Sequence, residues 1–258
     1  MTHSPLPWCD ANCLLGPQTV SPPETWVDLR ETVDMLQAVG IKRALVTSAV
    51  ARDYDPRAGN ERLLEELSLF HKSDAPELAP CFVVLPPDTG EFPGGDALLR
   101  YLAEAGAQAV RVYPVSHNYG VGGRWTDSLF GPLAEAGVPV LVDVSQITMP
   151  ELDGLLARHP LLALVLCRPG YRLHRWLWPL LAAHRGLYLE TSLWQAHWGI
   201  ESVVERFGAQ RLVFGTGMPD AAPGGAVSMI TYAQIADEAK AAIAGQTLAA
   251  LLWKGSTR

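Results

Sequence analysis

Charge is scarce in this sequence. Only 18% of its 258 residues are Asp, Glu, Lys or Arg, and the balance is acidic at −7. Such a chain lacks the basic surface that general nucleic-acid binding requires, so no nucleic-acid partner is expected. Long apolar runs are missing as well. No stretch of about 18 residues is free of charge, Gly and Pro, so no membrane-spanning helix and no membrane partner are expected. Residues 1–7 carry neither a basic segment nor an apolar one, so an export leader is not expected and a cytoplasmic location is. Cysteine is sparse and unpatterned: Cys9, Cys13, Cys81 and Cys167 contain no CxxC pair. That spacing excludes a zinc-finger set, and the four are expected to be buried, reduced thiols. The seven His form neither HxH nor HExxH, and no GxSxG elbow surrounds Ser192, which leaves no signature of a serine hydrolase.

What is present is a large apolar fraction, 48%, in a chain long enough to bury a core without disulfide or metal staples. Eight short β-branched or apolar runs recur, at residues 8–15, 42–48, 79–85, 109–114, 138–144, 162–167, 187–191 and 211–215. Between them lie segments of helical period: 21–39, 60–71, 96–105, 128–136, 150–159, 172–184 and 194–207. Ser21-Pro-Pro-Glu24 has the form of a capping box, and Gly40, Gly106 and Gly137 read as helix stops. A last helix is expected over 235–252, broken or kinked at Gly245. Strand–helix alternation implies a parallel sheet, and eight repeats in about 250 residues fit a (β/α)₈ TIM barrel. An open doubly wound sheet would carry GxGxxG after its first strand, and this chain does not. One barrel domain over residues 1–258 is expected.

In such a barrel the site forms at the C-terminal strand ends, so polar residues there are the ones to weigh. On period two, Asp10, Asn12 and Leu14 share one face of the first strand. The fourth strand supplies Arg111, with His117 and Asn118 beyond it. The fifth ends in Asp143, the sixth in Arg168, the seventh in Glu190 and Ser192, and the eighth runs into Gly215-Thr-Gly-Met-Pro-Asp220.

These residues carry a family resemblance. Glu205-Arg-Phe-Gly-Ala-Gln-Arg-Leu-Val-Phe-Gly-Thr-Gly-Met-Pro219 resembles the "fGadRllfGTDyP" eighth-strand signature of amidohydrolase-related barrels of the amidohydrolase-2 type. Residues 235–252 resemble that family's closing "isdeareaIlggNaarLL". Asp10-Ala-Asn-Cys-Leu14 is similar to its first-strand "DxHxH", Pro139-Val-Leu-Val-Asp143 to "PvxiH", and Cys167-Arg-Pro-Gly170 to "aHxGg". The resemblance covers nearly the whole chain. It implies a hydrolase or lyase related to metal-dependent decarboxylases and lactone hydrolases. It also implies a metal cage of two first-strand His, a fifth-strand His and an eighth-strand Asp. At those positions this chain has Asn12, Leu14, Asp143 and Gly217, and Arg168 replaces the sixth-strand His. No metal and no other cofactor is therefore expected.

The residues leave alternatives open. Arg168 is either a structural partner of Asp143 or a guanidinium that binds a carboxylate or oxyanion in the metal's stead. Asp143 is that partner or a general base. His117 is a loop support or the group that transfers a proton. Arg111 needs a buried carboxylate, with Glu190 as one candidate. Asp10, Asn12, Arg111, Glu190 and Ser192 are taken as the substrate-binding set, and His117, Asp143 and Arg168 as the catalytic set. The expected function is metal-independent hydrolase- or lyase-type chemistry on, or binding of, a small carboxylate-bearing compound, in a homo-oligomer or paired with a related barrel. The alternative is a non-catalytic relative that pairs with a metal-competent barrel. A third reading keeps a metal through Asp143, Asp10 and His117. The indoles Trp176, Trp178, Trp194 and Trp198 read as core or dimer packing.

Overall fold

The computed structural model describes residues 6–19, 28–72 and 74–255. Eight parallel strands follow one another in the order of the sequence: β1 (Cys9–Leu15), β2 (Arg43–Ser48), β3 (Glu77–Val83), β4 (Ala109–Val112), β5 (Val140–Asp143), β6 (Leu164–Cys167), β7 (Leu187–Glu190) and β8 (Leu212–Val213). Backbone bonds from Ala11 N–H to the Phe214 carbonyl and from Leu14 N–H to the Met218 carbonyl, both 3.0 Å, return the last strand segment to β1 and close the ring. The expected (β/α)₈ barrel is what forms.

Strand alternation divides the core in two. Ala109, Leu141, Val165, Cys167 and Val213 pack together inside the ring with Cys9, Leu45 and Cys81. Their neighbours Val110, Val140, Val142, Leu164 and Leu166 face the helices in a larger outer cluster. The four cysteines are buried and unbridged, as expected. Burial pushes the Cys9 thiol up to about 12 and Cys81 up to about 11, so neither is an available nucleophile.

The helices cover the outside: α1 (Leu29–Ala38), α2 (Ala49–Asp53), α3 (Pro56–Leu69), α4 (Gly95–Glu104), α5 (Asp127–Ala136), α6 (Met149–Arg158), α7 (His174–Ala183), α8 (Gly199–Phe207), α9 (Pro223–Thr231), α10 (Asp237–Ala241) and α11 (Thr247–Leu251). Their cap chemistry corrects several expected boundaries. Helix α1 opens at Asp28, whose carboxylate accepts from Glu31 N–H at 2.8 Å while Glu31 accepts from Asp28 N–H. Ser21-Pro-Pro-Glu24 lies outside the described residues. Asn60 does not start α3, which begins at Pro56 behind the Asp55 cap. Its amide instead clamps both backbone groups of Val83 on β3, at 2.8 and 3.0 Å. Helix α8 starts at Gly199, five residues later than the pattern suggests, because Trp198 sits at φ 51° and interrupts the helical path. The α-helical path of the final helix is interrupted at Gly245, as expected. This residue lies in a π-helical turn, Ala242–Gln246, between α10 and α11, and a Cβ there would meet the Pro7 carbonyl at 1.9 Å. Among the described residues no helix is long and apolar enough to cross a membrane.

Candidate active site

At the strand ends a hydrogen-bonded chain of side chains crosses the barrel. Its centre is Arg111, on the inward parity of β4 and 1% exposed. Nη1 donates to Asn12 Oδ1 at 2.8 Å, and Nη2 donates to Asp143 Oδ1 on the adjoining β5. Asn12 passes the connection on, its amide donating to Glu190 Oε2 at 2.9 Å and to Ser192 Oγ at 3.2 Å. Ser192 closes the far end by donating both its hydroxyl, at 2.7 Å, and its N–H to Glu190. Five residues singled out from the sequence, Asn12, Arg111, Asp143, Glu190 and Ser192, thus form one network.

The pairing inside it differs from the expected one. Arg168 does not pair with Asp143. At φ 56° it leaves the strand path, and its guanidinium turns to Asp220, Nη1 to Oδ2 at 2.5 Å, and to the Gly217 carbonyl. A non-Gly residue held in that region costs about 1–3 kcal/mol, and such strain concentrates at functional sites. Its N–H still donates to Glu190 Oε2 at 3.2 Å. With Arg168 gone elsewhere, Arg111 takes Asp143. Nor does Arg111 bond Glu190 directly, because Asn12 stands between them.

A bulge explains how Asn12 gets there. The β1–β2 register shifts between Asp10 and Cys13, so strict alternation fails. Ala11 packs inside the ring, Cys13 packs outside, and Asn12 reaches the network. Asp10 does not join it by side chain. Its carboxylate accepts from Thr216 N–H at 2.9 Å, Thr216 Oγ1 at 2.6 Å and Asn12 N–H at 2.8 Å, tying β1 to the end of β8. Those bonds clamp the β1–β8 seam.

His117 also stands apart. Nε2 lies 2.9 Å from the Arg52 carbonyl, and Nδ1 is buried without a partner among the described residues. Burial pushes this imidazole below its usual pKa, and its ring lies edge-on to Tyr113. Tyr113 in turn lies 5.3 Å from the Arg111 guanidinium carbon. His117 thus lies against the C-terminal end of α2, one ring removed from the charged centre.

A metal does not fit this donor set. Asp143 is held by a guanidinium, Asn12 is bonded at both amide atoms, and Leu14 and Gly217 offer no donor. Among the described residues no three His, Cys, Asp or Glu converge on one point. The reading with Asp143, Asp10 and His117 as ligands is overturned, since each is committed to a different partner.

Burial pushes the Glu190 and Asp10 carboxyls up, while their hydrogen bonds pull them back. For Glu190 the folded state therefore keeps a proton that the unfolded chain has already released. Its contribution to stability is full at low pH and is lost as pH rises above the ordinary value of 4.5. The stability of Glu190→Gln relative to wild type should accordingly improve between about pH 4.5 and pH 7.5 in urea titrations. A difference that stays constant or moves the other way contradicts that assignment.

Sequence reasoning missed Asp220, Thr216 and Arg52. Arg52 is clamped by Asp53, Nη2 to Oδ2 at 2.9 Å, and lies within electrostatic reach of Asp220. The strand-to-loop run up to Asp220 was the available signal. A cleft of about 560 Å³ between Gly16–Pro17 and the α1 and α3 helices contains none of the network residues. The indoles divide: Trp194 is buried, Trp178 packs against the core, and Trp176 and Trp198 are exposed.

The barrel has solved counterparts. It resembles 5-carboxyvanillate decarboxylase from Sphingomonas paucimobilis at 14% identity and TM-score 0.73, over 98% of this chain and 100% of the other. It resembles 2,6-dihydroxybenzoate decarboxylase from Rhizobium at 13% and 0.73, over 95% and 98%. A third, a dihydroxybenzoic acid decarboxylase from Polaromonas sp. with bound manganese and the inhibitor 2-nitroresorcinol, matches at 13% and 0.70, over 95% and 96%. These likenesses establish the fold. No curated protein matches the sequence. The family model described as Amidohydrolase matches residues 19–253, nearly the full length, and the chain belongs to that amidohydrolase family.

Proposed function

We propose that the strand-end face is a metal-independent site of hydrolase or lyase type for a small carboxylate-bearing compound. One observation carries the reading. At the edge of a buried network the Asp143 side chain is 12% exposed and the Arg168–Asp220 pair 18% and 30%, against 2% for Arg111, so a cation and a network carboxylate both reach the open side. The substrates for which two structural neighbours are named support the class, since both 5-carboxyvanillate and 2,6-dihydroxybenzoate are carboxylates. Family membership supports the reaction class.

In this reading Arg168 anchors the ligand. Its Nε is buried and has no partner among the described residues, and it shares one edge of the guanidinium with Nη2, whose contact to the Gly217 carbonyl is long at 3.4 Å, so an incoming carboxylate can take that pair of donors. Asp143 accepts or returns the proton, because Asp10 and Glu190 are fully buried and saturated with donors. Arg111 and Asn12 orient Asp143, Glu190 and Ser192 orient Asn12, and Asp10 holds the β1–β8 seam. His117 positions the end of α2 that carries Arg52.

The test is calorimetric titration of a panel of aromatic and aliphatic mono- and dicarboxylates in EDTA. Wild type should bind at least one of them. Arg168→Ala should bind it about ten- to hundredfold more weakly, the equivalent of one lost charge-assisted contact. Unchanged affinity in a folded Arg168→Ala sinks the proposal.

A second reading is favoured by the saturation of Asp10 and Glu190: a non-catalytic barrel that binds a related, metal-competent one. Exposed Tyr171, Trp176, Leu193 and Trp198, on the segments after β6 and β7, would suit an interface with that barrel or with a second copy. Co-purification with a related barrel, and no turnover or carboxylate binding alone, would select it.

A further inference from the structure

The position of Arg111 has a meaning beyond pairing. In a ring of eight strands β1 and β5 stand opposite one another, and the Arg111 guanidinium bonds to both, through Asn12 Oδ1 and Asp143 Oδ1. A group bonded to opposite walls lies on the barrel axis. The Tyr113 ring lies 5.3 Å from it, Cys81 and Cys167 are within electrostatic reach, and its charge faces Asp143 directly and Glu190 through Asn12. Nε has no partner among the described residues. A side chain chosen for packing would not leave a charged donor orphaned in the interior, because an apolar residue of similar volume fills such space at lower desolvation cost. What the position requires is positive charge.

We infer that the Arg111 guanidinium is the resident cation of the barrel axis, supplying from the chain itself the charge that the family resemblance assigns to a metal, and that it excludes one. Asn12 and Asp143, two of the positions that the resemblance gives to metal ligands, are the two that this guanidinium joins. The inference rests on the metal-independent reading above and deepens it. It explains why β5 carries a carboxylate, Asp143, where the resemblance implies a His, while Leu14 and Gly217 offer no donor: an axial cation needs an anionic wall.

Removing the guanidinium should leave a vacant cation site rather than a mere hole. Arg111→Ala and, as an uncharged cavity control in the same layer, Leu141→Ala are compared with wild type by thermal unfolding and by elemental analysis. The added probes are methylguanidinium chloride and MnCl₂, each tested alone. Arg111→Ala should gain about 3–6 °C from at least one probe, consistent with one ligand well above its dissociation constant, whereas wild type and Leu141→Ala should not. Equal responses in Arg111→Ala and Leu141→Ala, or a folded Arg111→Ala that responds to neither probe, overturns the inference. So does stoichiometric metal in wild type.

Should Arg111→Ala not fold, Arg111→Lys and Arg111→Met decide. The lysine variant keeps the charge and should melt well above the methionine variant. A methionine variant as stable as the lysine one overturns the inference. None of these outcomes depends on carboxylate binding by wild type, so failure of the Arg168 reading shows separately.

Discussion

Asp143→Ala should lower the unfolding free energy by about 3–5 kcal/mol, the range for breaking a buried ion pair by removing one partner. The reason is what remains. Arg111 is 1% exposed, its Nε is already without a partner, and loss of Asp143 leaves Asn12 Oδ1 as its acceptor. The pair is shielded well enough that solvent does little to screen it, with side-chain exposures of 2% and 12%. Asp143→Asn, which keeps an acceptor oxygen in place, should recover part of the loss. Denaturant titration at neutral pH measures both. A loss in Asp143→Ala below about 1 kcal/mol would mean that the pair is an exposed contact, contrary to the account.

Gly215→Ala is the second large effect. A Cβ at Gly215 would lie 2.1 Å from Glu190 Oε1 and 2.5 Å from its carboxyl carbon. Glu190 cannot swing away without dropping Ser192, Asn12 and the Arg168 N–H together. Overpacking of this kind typically costs about 1–3 kcal/mol, and the lost hydrogen bonds place Gly215→Ala at the upper end. Gly224→Ala is the matched control. Nothing lies within 4 Å of a Cβ there, and the site is on α9, so it should be neutral or slightly stabilising. Because the clash reaches the network, Gly215→Ala should also weaken carboxylate binding, which a purely structural strain at Gly245 would not do selectively.

How much of this was legible in the sequence depends on the range of the interaction. The barrel was, because its eight runs and intervening helical periods are local patterns and the ring order simply follows the chain. Network membership was legible as well: Arg111, Asp143 and Glu190 are polar residues on inward parity at strand ends, where apolar residues would otherwise stand. The pairing was not. It turns on Arg168 adopting φ 56° and on a bulge in β1, and neither has a residue-type signature, since Arg is not a residue that normally marks left-handed backbone. Helix α9 was missed because Pro223-Gly-Gly reads as loop, although Pro in the first turn is a helix start. The expected start of the 60–71 helix was four residues late for another reason. The Asn60 amide, suited to capping, was recruited by a strand 23 residues away.

The central claim is that the site works without a metal, and one measurement addresses it most directly. Wild-type protein is titrated calorimetrically with its best-binding carboxylate before and after exhaustive dialysis against EDTA, with metal content determined on both samples. The account predicts sub-stoichiometric metal throughout and the same affinity in both titrations. Stoichiometric metal before dialysis, with carboxylate binding lost afterwards and restored by adding the metal back, would contradict it.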